Sequence, residues 1–98
     1  MHTCFATAQG MSAITGQAIL LINHEKLIIL FVSRITEQVV QKVEFNIEEL
    51  SDSTINYGLL ISNSWKFKGR GQKWSFRIQP ILTLKNAQQD FLDFVKRI

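Results

Sequence analysis

The chain has 98 residues with a formal net charge of +3, and 46% of its residues are hydrophobic. A chain of this length forms one domain, and a composition this rich in apolar side chains excludes an intrinsically disordered protein. We therefore predict a single domain over residues 1–98. The net charge is too small to indicate a partner by itself, so electrostatic recognition must depend on local clusters of charge.

Cysteine content and hydropathy indicate the cellular compartment of the protein. Cys4 is the only cysteine, which excludes an internal disulfide and a zinc site built from several cysteines. The longest apolar run, residues 27–32, is far shorter than the roughly 20 residues that a membrane-spanning helix needs. Residues 1–16 lack the positive charge and the sustained apolar block of a signal peptide. We therefore expect a cytoplasmic protein without a transmembrane segment, with association at a membrane surface as an open alternative.

The first third of the chain contains apolar segments that favour strands. Residues 3–9 alternate weakly, and residues 10–16 are typical of a loop. Residues 17–22 and 27–33 are rich in branched apolar side chains and flank a short polar interruption. This arrangement predicts a hairpin, because the β-branched content argues against the competing single helix.

Four further segments precede the most strongly patterned region. Residues 38–46 alternate and predict a strand, and residues 47–51 are acidic and predict a connector or a single helical turn. Residues 53–61 predict another strand, interrupted at Gly58. The polar cluster at residues 62–64 predicts a turn.

Residues 65–78 carry the clearest pattern in the chain, because two alternating runs flank a glycine turn. One face is apolar: Trp65, Phe67, Trp74, Phe76 and Ile78. The opposite face is polar and mostly cationic: Lys66, Lys68, Lys73, Ser75 and Arg77. Gly69, Arg70 and Gly71 predict the reversal, since glycine adopts positive φ at little cost. The segment therefore predicts a hairpin with an apolar inner face and a basic outer face.

The last segment changes from a strand period to a helical one. Asn86 is a candidate N-cap, and Gln89 follows it at the spacing of a capping box. Apolar residues then recur at helical spacing: Phe91, Leu92, Phe94, Val95 and Ile98. This amphipathic helix needs an apolar surface to cover, and the preceding strands supply one.

About seven strands followed by one amphipathic helix is the order of elements in a pleckstrin-homology-like (PH-like) domain. Residues 21–29 (LINHEKLII) resemble a hairpin of bacterial PH-like domains, particularly the YokE-like group, and residues 45–51 (FNIEELS) resemble the step after the next strand. Residues 69–76 resemble the glycine-containing hairpin of that group, and residues 86–98 are similar to its closing helix. The resemblance covers about residues 16–98.

The resemblance implies a mainly β fold with one helix. The expected form is a strongly bent, seven-stranded sheet or barrel that is capped by a C-terminal α-helix. Such domains serve mainly as scaffolds for binding, so the resemblance implies little chemistry. Fold alone does not assign a function.

The basic residues of the hairpin are the candidate anion-binding face: Lys66, Lys68, Arg70, Lys73 and Arg77. Their charge suits an anionic lipid head group or a nucleic acid. The alternative is a solvated face that keeps the hairpin from pairing with neighbouring molecules. Lipid-binding PH domains usually carry basic residues in the first hairpin loop. Here the corresponding residues 10–16 have no charge, which argues against phosphoinositide recognition of that kind.

The sequence contains no recognisable catalytic or metal-binding constellation. His2 and Cys4 alternate onto one face, but a catalytic pair needs hydrogen-bond contact and an orienting third group. His24 and Glu25 begin like a zinc-protease motif, yet position 28 is isoleucine where the second histidine is required. We therefore predict that the protein is not an enzyme, with no catalytic residues, no metal site and no small-molecule cofactor.

These observations lead to two functional hypotheses. The first is a non-catalytic module for protein–protein association, which includes self-association by strand addition at exposed sheet edges. The second is attachment to anionic lipid or nucleic acid through the basic hairpin. The aromatic side chains of the hairpin and the helix are expected to form the core rather than to line a ligand groove.

Overall fold

The computed structural model describes residues 2–8, 17–33, 35–57, 63–78 and 85–97. These residues form seven antiparallel strands and one α-helix. The strands are β1 (His2–Ala8), β2 (Gln17–Ile22), β3 (Lys26–Val32), β4 (Val39–Asn46), β5 (Ser51–Tyr57), β6 (Asn63–Gly69) and β7 (Gln72–Ile78). A single turn of 3-10 helix, Ile47–Glu49, connects β4 to β5, and the helix α1 spans Lys85–Val95.

All seven strands belong to one sheet, with the order β4-β3-β2-β1-β7-β6-β5. Within the described residues β4 and β5 are the two edges, so hydrogen bonding does not close the sheet into a barrel. The predicted mainly β class, the seven strands and the C-terminal helix are confirmed, and they fit a PH-like layout. Of the two forms expected, the open bent sheet is observed and the closed barrel is not.

The sheet is strongly curved, because side chains from distant strands meet on its inner side. Four strand spacings separate β4 from β7, which corresponds to about 19 Å in a flat sheet. Yet the ring centroids of Phe45 on β4 and Trp74 on β7 lie 5.3 Å apart, in an edge-to-face arrangement. Phe45 also lies 5.9 Å from Phe67 on β6. The sheet therefore folds over its own inner face and encloses the core.

The core contains the inward side chains of the hairpin and the apolar stripe of α1. The hairpin residues predicted to face inward are all buried: Trp65, Phe67, Trp74, Phe76 and Ile78. The helix contributes Phe91, Leu92, Phe94 and Val95, which are also buried. The Phe91 ring packs edge-to-face against Trp65 at 5.6 Å. The expectation that these aromatic residues form the core is therefore confirmed.

The helix also completes the hydrogen bonding of β1. In the described part of the chain, β1 pairs with β7 only at Thr7 and Ala8. At Phe5 the side chain of Gln88 takes the place of a neighbouring strand. The Phe5 N–H donates to Gln88 Oε1 at 2.7 Å, and Gln88 Nε2 donates to the Phe5 carbonyl at 3.3 Å. The buried amide of Gln88 thus satisfies both backbone groups of one strand residue.

The reversal between β6 and β7 is tighter than the sequence suggested. Arg70 and Gly71 form it alone, with φ values of 53° and 76°, and two consecutive residues with positive φ are typical of a type I′ hairpin turn. Gly69 belongs to β6 instead. A Cβ at Gly69 would lie 2.8 Å from Cε1 of Phe45, so this position needs glycine for space rather than for its φ angle.

Two boundary predictions are wrong. Asn63 and Ser64 belong to β6 and not to a turn, because they pair with both β5 and β7. The helix begins at Lys85, so Asn86 lies in its first turn and is not the N-cap. Gln89 donates from Nε2 to Asp93 Oδ1 at 3.0 Å, a contact along the helix surface. The predicted loop at residues 10–16 lies outside the described residues.

Candidate functional site

The outer surface of the sheet, opposite the core, contains two regions of different chemistry. The basic face consists of the outward cationic side chains of β6 and β7: Lys66, Lys68, Lys73 and Arg77. The apolar face consists of outward side chains of β1, β2 and β3: Phe5, Ile19, Leu21, Ile28, Leu30 and Val32. In both regions the alternate residues of the same strands are buried, which fixes the outward direction of these side chains.

Strand register brings the cationic side chains of the basic face together. Lys68 on β6 lies directly opposite Lys73 on β7, and Lys66 lies opposite Ser75. Like charges at directly opposed positions destabilise a sheet slightly unless solvent or a counter-charge screens them. All four cationic side chains are exposed, as predicted. Lys66, Lys68 and Lys73 line a surface depression of about 480 Å³ together with Asp52 and Ser75.

A carboxylate already neutralises part of this charge. Lys68 Nζ lies 3.3 Å from Oδ2 of Asp52 on β5, and both side chains are more than half exposed. An exposed pair of this kind stabilises the fold weakly and can exchange for another anion. Among the described residues, no carboxylate lies within 4.0 Å of Lys66, Lys73 or Arg77. These three cations are therefore the part of the predicted site that is open to an external anion.

Arg70, the fifth residue predicted for the anion-binding face, contacts the opposite end of the sheet. Its Nε donates to Glu49 Oε2 at 2.8 Å, and its Nη2 donates to the backbone carbonyl of Glu44. Its guanidinium carbon lies 4.7 Å above the centroid of the Phe45 ring, in a cation–π arrangement. These contacts connect the tip of the β6–β7 hairpin to the end of β4. Arg70 thus bridges the β6–β7 hairpin and β4, which lie far apart in the strand order of the sheet.

The contact with Arg70 changes the titration of Glu49. The hydrogen bond from the guanidinium, with a second from the backbone N–H of Asn46 at 3.3 Å, lowers the pKa of Glu49 below its ordinary 4.5. A lowered carboxyl pKa means that the folded state favours the ionised form. The resulting stability is fully present above pH 4.5 and is lost as the pH falls through the lowered pKa.

The apolar face is continuous across three strands. Ile19 on β2 lies opposite Phe5 on β1 and Leu30 on β3, and Leu21 lies opposite Ile28 on β3. Directly opposed side chains on one side of a sheet have Cβ atoms about 4.5–5.5 Å apart, so these residues contact one another. Phe5 remains 40% exposed, although it belongs to a strand whose inward residues are buried.

Charged residues limit the apolar face at the edge strand β4. Lys42 pairs with Leu30, and Glu44 pairs with Ile28, so two of the apolar rows end in one charge each, and the two charges have opposite sign. Val32, in the third row, pairs with the exposed Val39 instead. Glu44 also lies 3.7 Å from Lys26, where both side chains are nearly half exposed. An apolar centre with a charged rim is the usual anatomy of a protein interface.

Sequence reasoning missed the apolar face, although a signal for it exists. β2 and β3 are apolar at consecutive positions, not at alternate ones, over Ala18–Ile22 and Leu27–Val32. Consecutive apolar residues in a strand indicate that both of its sides are apolar. The core uses one side only, because α1 and the curved sheet cover the inner surface. The outer side of β2 and β3 is therefore a second apolar surface, which the described residues of the core do not use.

Three of the residues weighed as catalytic candidates have surroundings that suit a structural role: His2, Cys4 and His24. Cys4 is fully buried, and burial raises the pKa of its thiol to about 12, so the thiol stays protonated at neutral pH. The rings of His2 and His24 pack against Phe94, with centroid distances of 4.7 and 5.1 Å. Within the described ranges, no group of three or more His, Cys, Asp or Glu side chains could hold a metal ion.

Comparison with known proteins does not extend this picture. No family model, curated protein or solved structure matches the chain. Membership of the bacterial PH-like family therefore stays a prediction from the sequence motifs. In the part of the chain that the structure describes, no helix is both long enough and apolar enough to span a membrane.

Proposed function

We propose that this chain is a non-catalytic module for protein–protein association, and that the apolar face is its binding surface. The observation that supports the proposal is the continuous outward row of Phe5, Ile19 and Leu30, with the Leu21 and Ile28 pair beside it. A soluble sheet ordinarily has one side in the core and one polar side facing water. Contiguous apolar patches that a polar rim surrounds mark interaction sites.

Binding at the face is favoured over strand addition at the edges of the sheet. The edge strand β4 has a register irregularity against β3 between Phe31 and Val32, and β5 has one against β6 between Ser51 and Thr54. Asp52, inside the second irregularity, has a φ of 52°. Irregular edges and charged edge residues oppose the addition of another strand.

The test is affinity capture with matched variants. Ile19→Glu places a charge at the centre of the apolar face, and Lys66→Glu changes the charge of an outward residue on β6 instead. We expect the wild-type protein and Lys66→Glu to retain the same protein partner from native lysate, and Ile19→Glu to lose it, because an unpaired buried charge opposes association. Equal capture by all three proteins would contradict the proposal.

The second candidate function is attachment to an anionic surface through the basic face. The observation in its favour is that Lys66, Lys73 and Arg77 have no carboxylate within 4.0 Å among the described residues. Binding of this kind weakens with added salt, because each phosphate contact releases a counterion.

Vesicles containing phosphatidylserine and a short DNA duplex, each measured over a salt series, distinguish the two anionic ligands. The triple variant Lys66→Glu, Lys73→Glu, Arg77→Glu should abolish binding, while Ile19→Glu should leave it unchanged. Arg70 is left intact in this test because its contacts with Glu49 and Phe45 hold the hairpin tip. Binding that does not depend on salt, or that survives the triple variant, excludes this function.

A further inference from the structure

We infer that the apolar face binds a second copy of this chain, and that the two copies form a symmetric dimer. This inference rests on the proposed function, since it names the partner of the same surface. The evidence for it is the arrangement of two charged residues on β4, at the edge of the apolar face. Lys42 and Glu44 end neighbouring apolar rows, two residues apart on one strand.

A twofold axis makes this arrangement complementary to itself. In a symmetric dimer, the same patch is used by both copies, and each contact occurs twice. An axis that lies in the interface and crosses the strands between the two rows exchanges one row with the other. It places Lys42 opposite Glu44 of the second copy, and Glu44 opposite Lys42 of that copy.

The same axis matches the four aliphatic residues at the centre of the two rows, and it places Phe5 over Thr3 of the second copy. The row of Ile19 and Leu30 in one copy lies over the row of Leu21 and Ile28 in the other. All four are aliphatic residues of similar size, so the rows can interdigitate as the facing sides of two packed sheets do. A partner of different sequence would have to supply both the apolar rows and the inverted pair of charges, and a second copy has them already.

The size of the face sets the expected strength of the dimer. Four strands span about 14 Å between the axes of β1 and β4. A stable interface buries about 800 Å² on each partner and involves roughly 20–30 residues of each. One side of four short strands offers fewer residues than that. We therefore expect a dimer in concentration-dependent equilibrium with the monomer.

The first measurement is sedimentation equilibrium of the full chain from about 5 to 500 μM. The wild-type protein should show a monomer–dimer equilibrium. Ile19→Glu should raise the dissociation constant of the dimer about a hundredfold or more, since the symmetric contact would bury two uncompensated charges. Lys66→Glu, on the basic face, should leave it unchanged. Circular dichroism and tryptophan fluorescence show whether each variant is folded before it is compared.

Charge reversal tests the identity of the partner. Lys42→Glu makes both edge charges negative, and Glu44→Lys makes both positive, so each variant alone should dimerise roughly three- to tenfold more weakly than wild type. An equimolar mixture should recover the affinity, because every facing pair is again Lys opposite Glu. The Lys42→Glu, Glu44→Lys double variant should also recover it.

The outcomes separate this inference from the proposed function. A wild-type monomer at every concentration overturns the dimer, and so does an equilibrium that Ile19→Glu leaves unchanged. A mixture that fails to recover affinity contradicts the twofold arrangement. If the protein is monomeric but Ile19→Glu still loses a different protein in affinity capture, the dimer is wrong and the association function stands. If Ile19→Glu changes neither the sedimentation equilibrium nor the affinity capture, both the dimer and the association function are wrong.

Discussion

The two halves of the sheet differ on their outer sides although their inner sides are built alike. In β6 and β7 buried aromatic residues alternate with exposed cations, as in Trp65, Lys66 and Phe67. In β2 and β3 buried aliphatic residues alternate with other aliphatic residues, as in Leu20 and Leu21. Both regions consist of paired antiparallel strands. The comparison teaches that exposure to solvent accounts for the outer side of the hairpin, whereas the outer side of β1 to β3 is the surface for which we propose a partner.

The largest expected effect tests which side of β2 belongs to the core. Leu20 is fully buried and its neighbour Leu21 faces outward, so Leu20→Ala should lower the free energy of unfolding by about 2–5 kcal/mol. Leu21→Ala should lower it by less than about 1 kcal/mol. Urea unfolding at low protein concentration, where the monomer dominates, measures both. Equal losses would mean that the outer side is already covered within the chain.

The next test concerns the junction of the two halves, where Gln88 completes the pairing of β1. Gln88→Leu keeps the size of the side chain but removes both hydrogen bonds to Phe5, so unfolding free energy should fall by about 1–3 kcal/mol. Gln89→Leu, one residue along the exposed side of α1, is the control and should change it by less than about 0.5 kcal/mol. Hydrogen exchange of the Phe5 amide should accelerate only in the first variant.

The curvature that brings the halves together depends on Gly69. Gly69→Ala introduces a Cβ 2.8 Å from the Phe45 ring, and the overpacking should lower unfolding free energy by about 1–3 kcal/mol. Gly71→Asn is the matched control at the turn. Its φ of 76° is in the region that asparagine tolerates, and a Cβ there meets no atom within 4 Å. A Gly69→Ala protein as stable as the control would show that the ring moves freely aside.

The smallest expected effect is the acid response of the Arg70 contact. Because the pKa of Glu49 is lowered in the folded state, the wild-type protein should lose stability as the pH falls from 4.5 through that lowered pKa. Glu49→Gln and Arg70→Asn should both flatten this part of the profile, and asparagine at position 70 still permits the positive φ of the turn.

Glu48→Gln removes the neighbouring carboxylate and serves as the control for this profile. It should leave the acid response intact, since Arg70 donates to Glu49 and not to residue 48. Urea midpoints at a series of pH values between 3 and 7 measure the profile for all four proteins. An identical acid response in Glu49→Gln and wild type would contradict the assigned cause.

The chain's local patterns determined the elements of this protein. Alternation in residues 65–78 sufficed to predict which hairpin side chains are buried, and the bounds of β2 agree with the predicted segment, Gln17–Ile22. Helical spacing likewise predicted the buried stripe of α1. These features follow from side-chain direction along the backbone, which depends on neighbours in the sequence.

Only the tertiary structure decided how those elements combine. When both sides of a strand are apolar, the local pattern does not indicate which side faces the core. The apolar face could therefore be identified only from the tertiary structure, in which α1 and the curved sheet cover the other side. Gly69 could be read as a turn residue until Phe45, far away in the chain, was found against it. Arg70 belongs by sequence with the basic hairpin, yet Glu49 and Phe45 hold its guanidinium at the other end of the sheet. In each case the deciding contact joins residues that are distant in sequence.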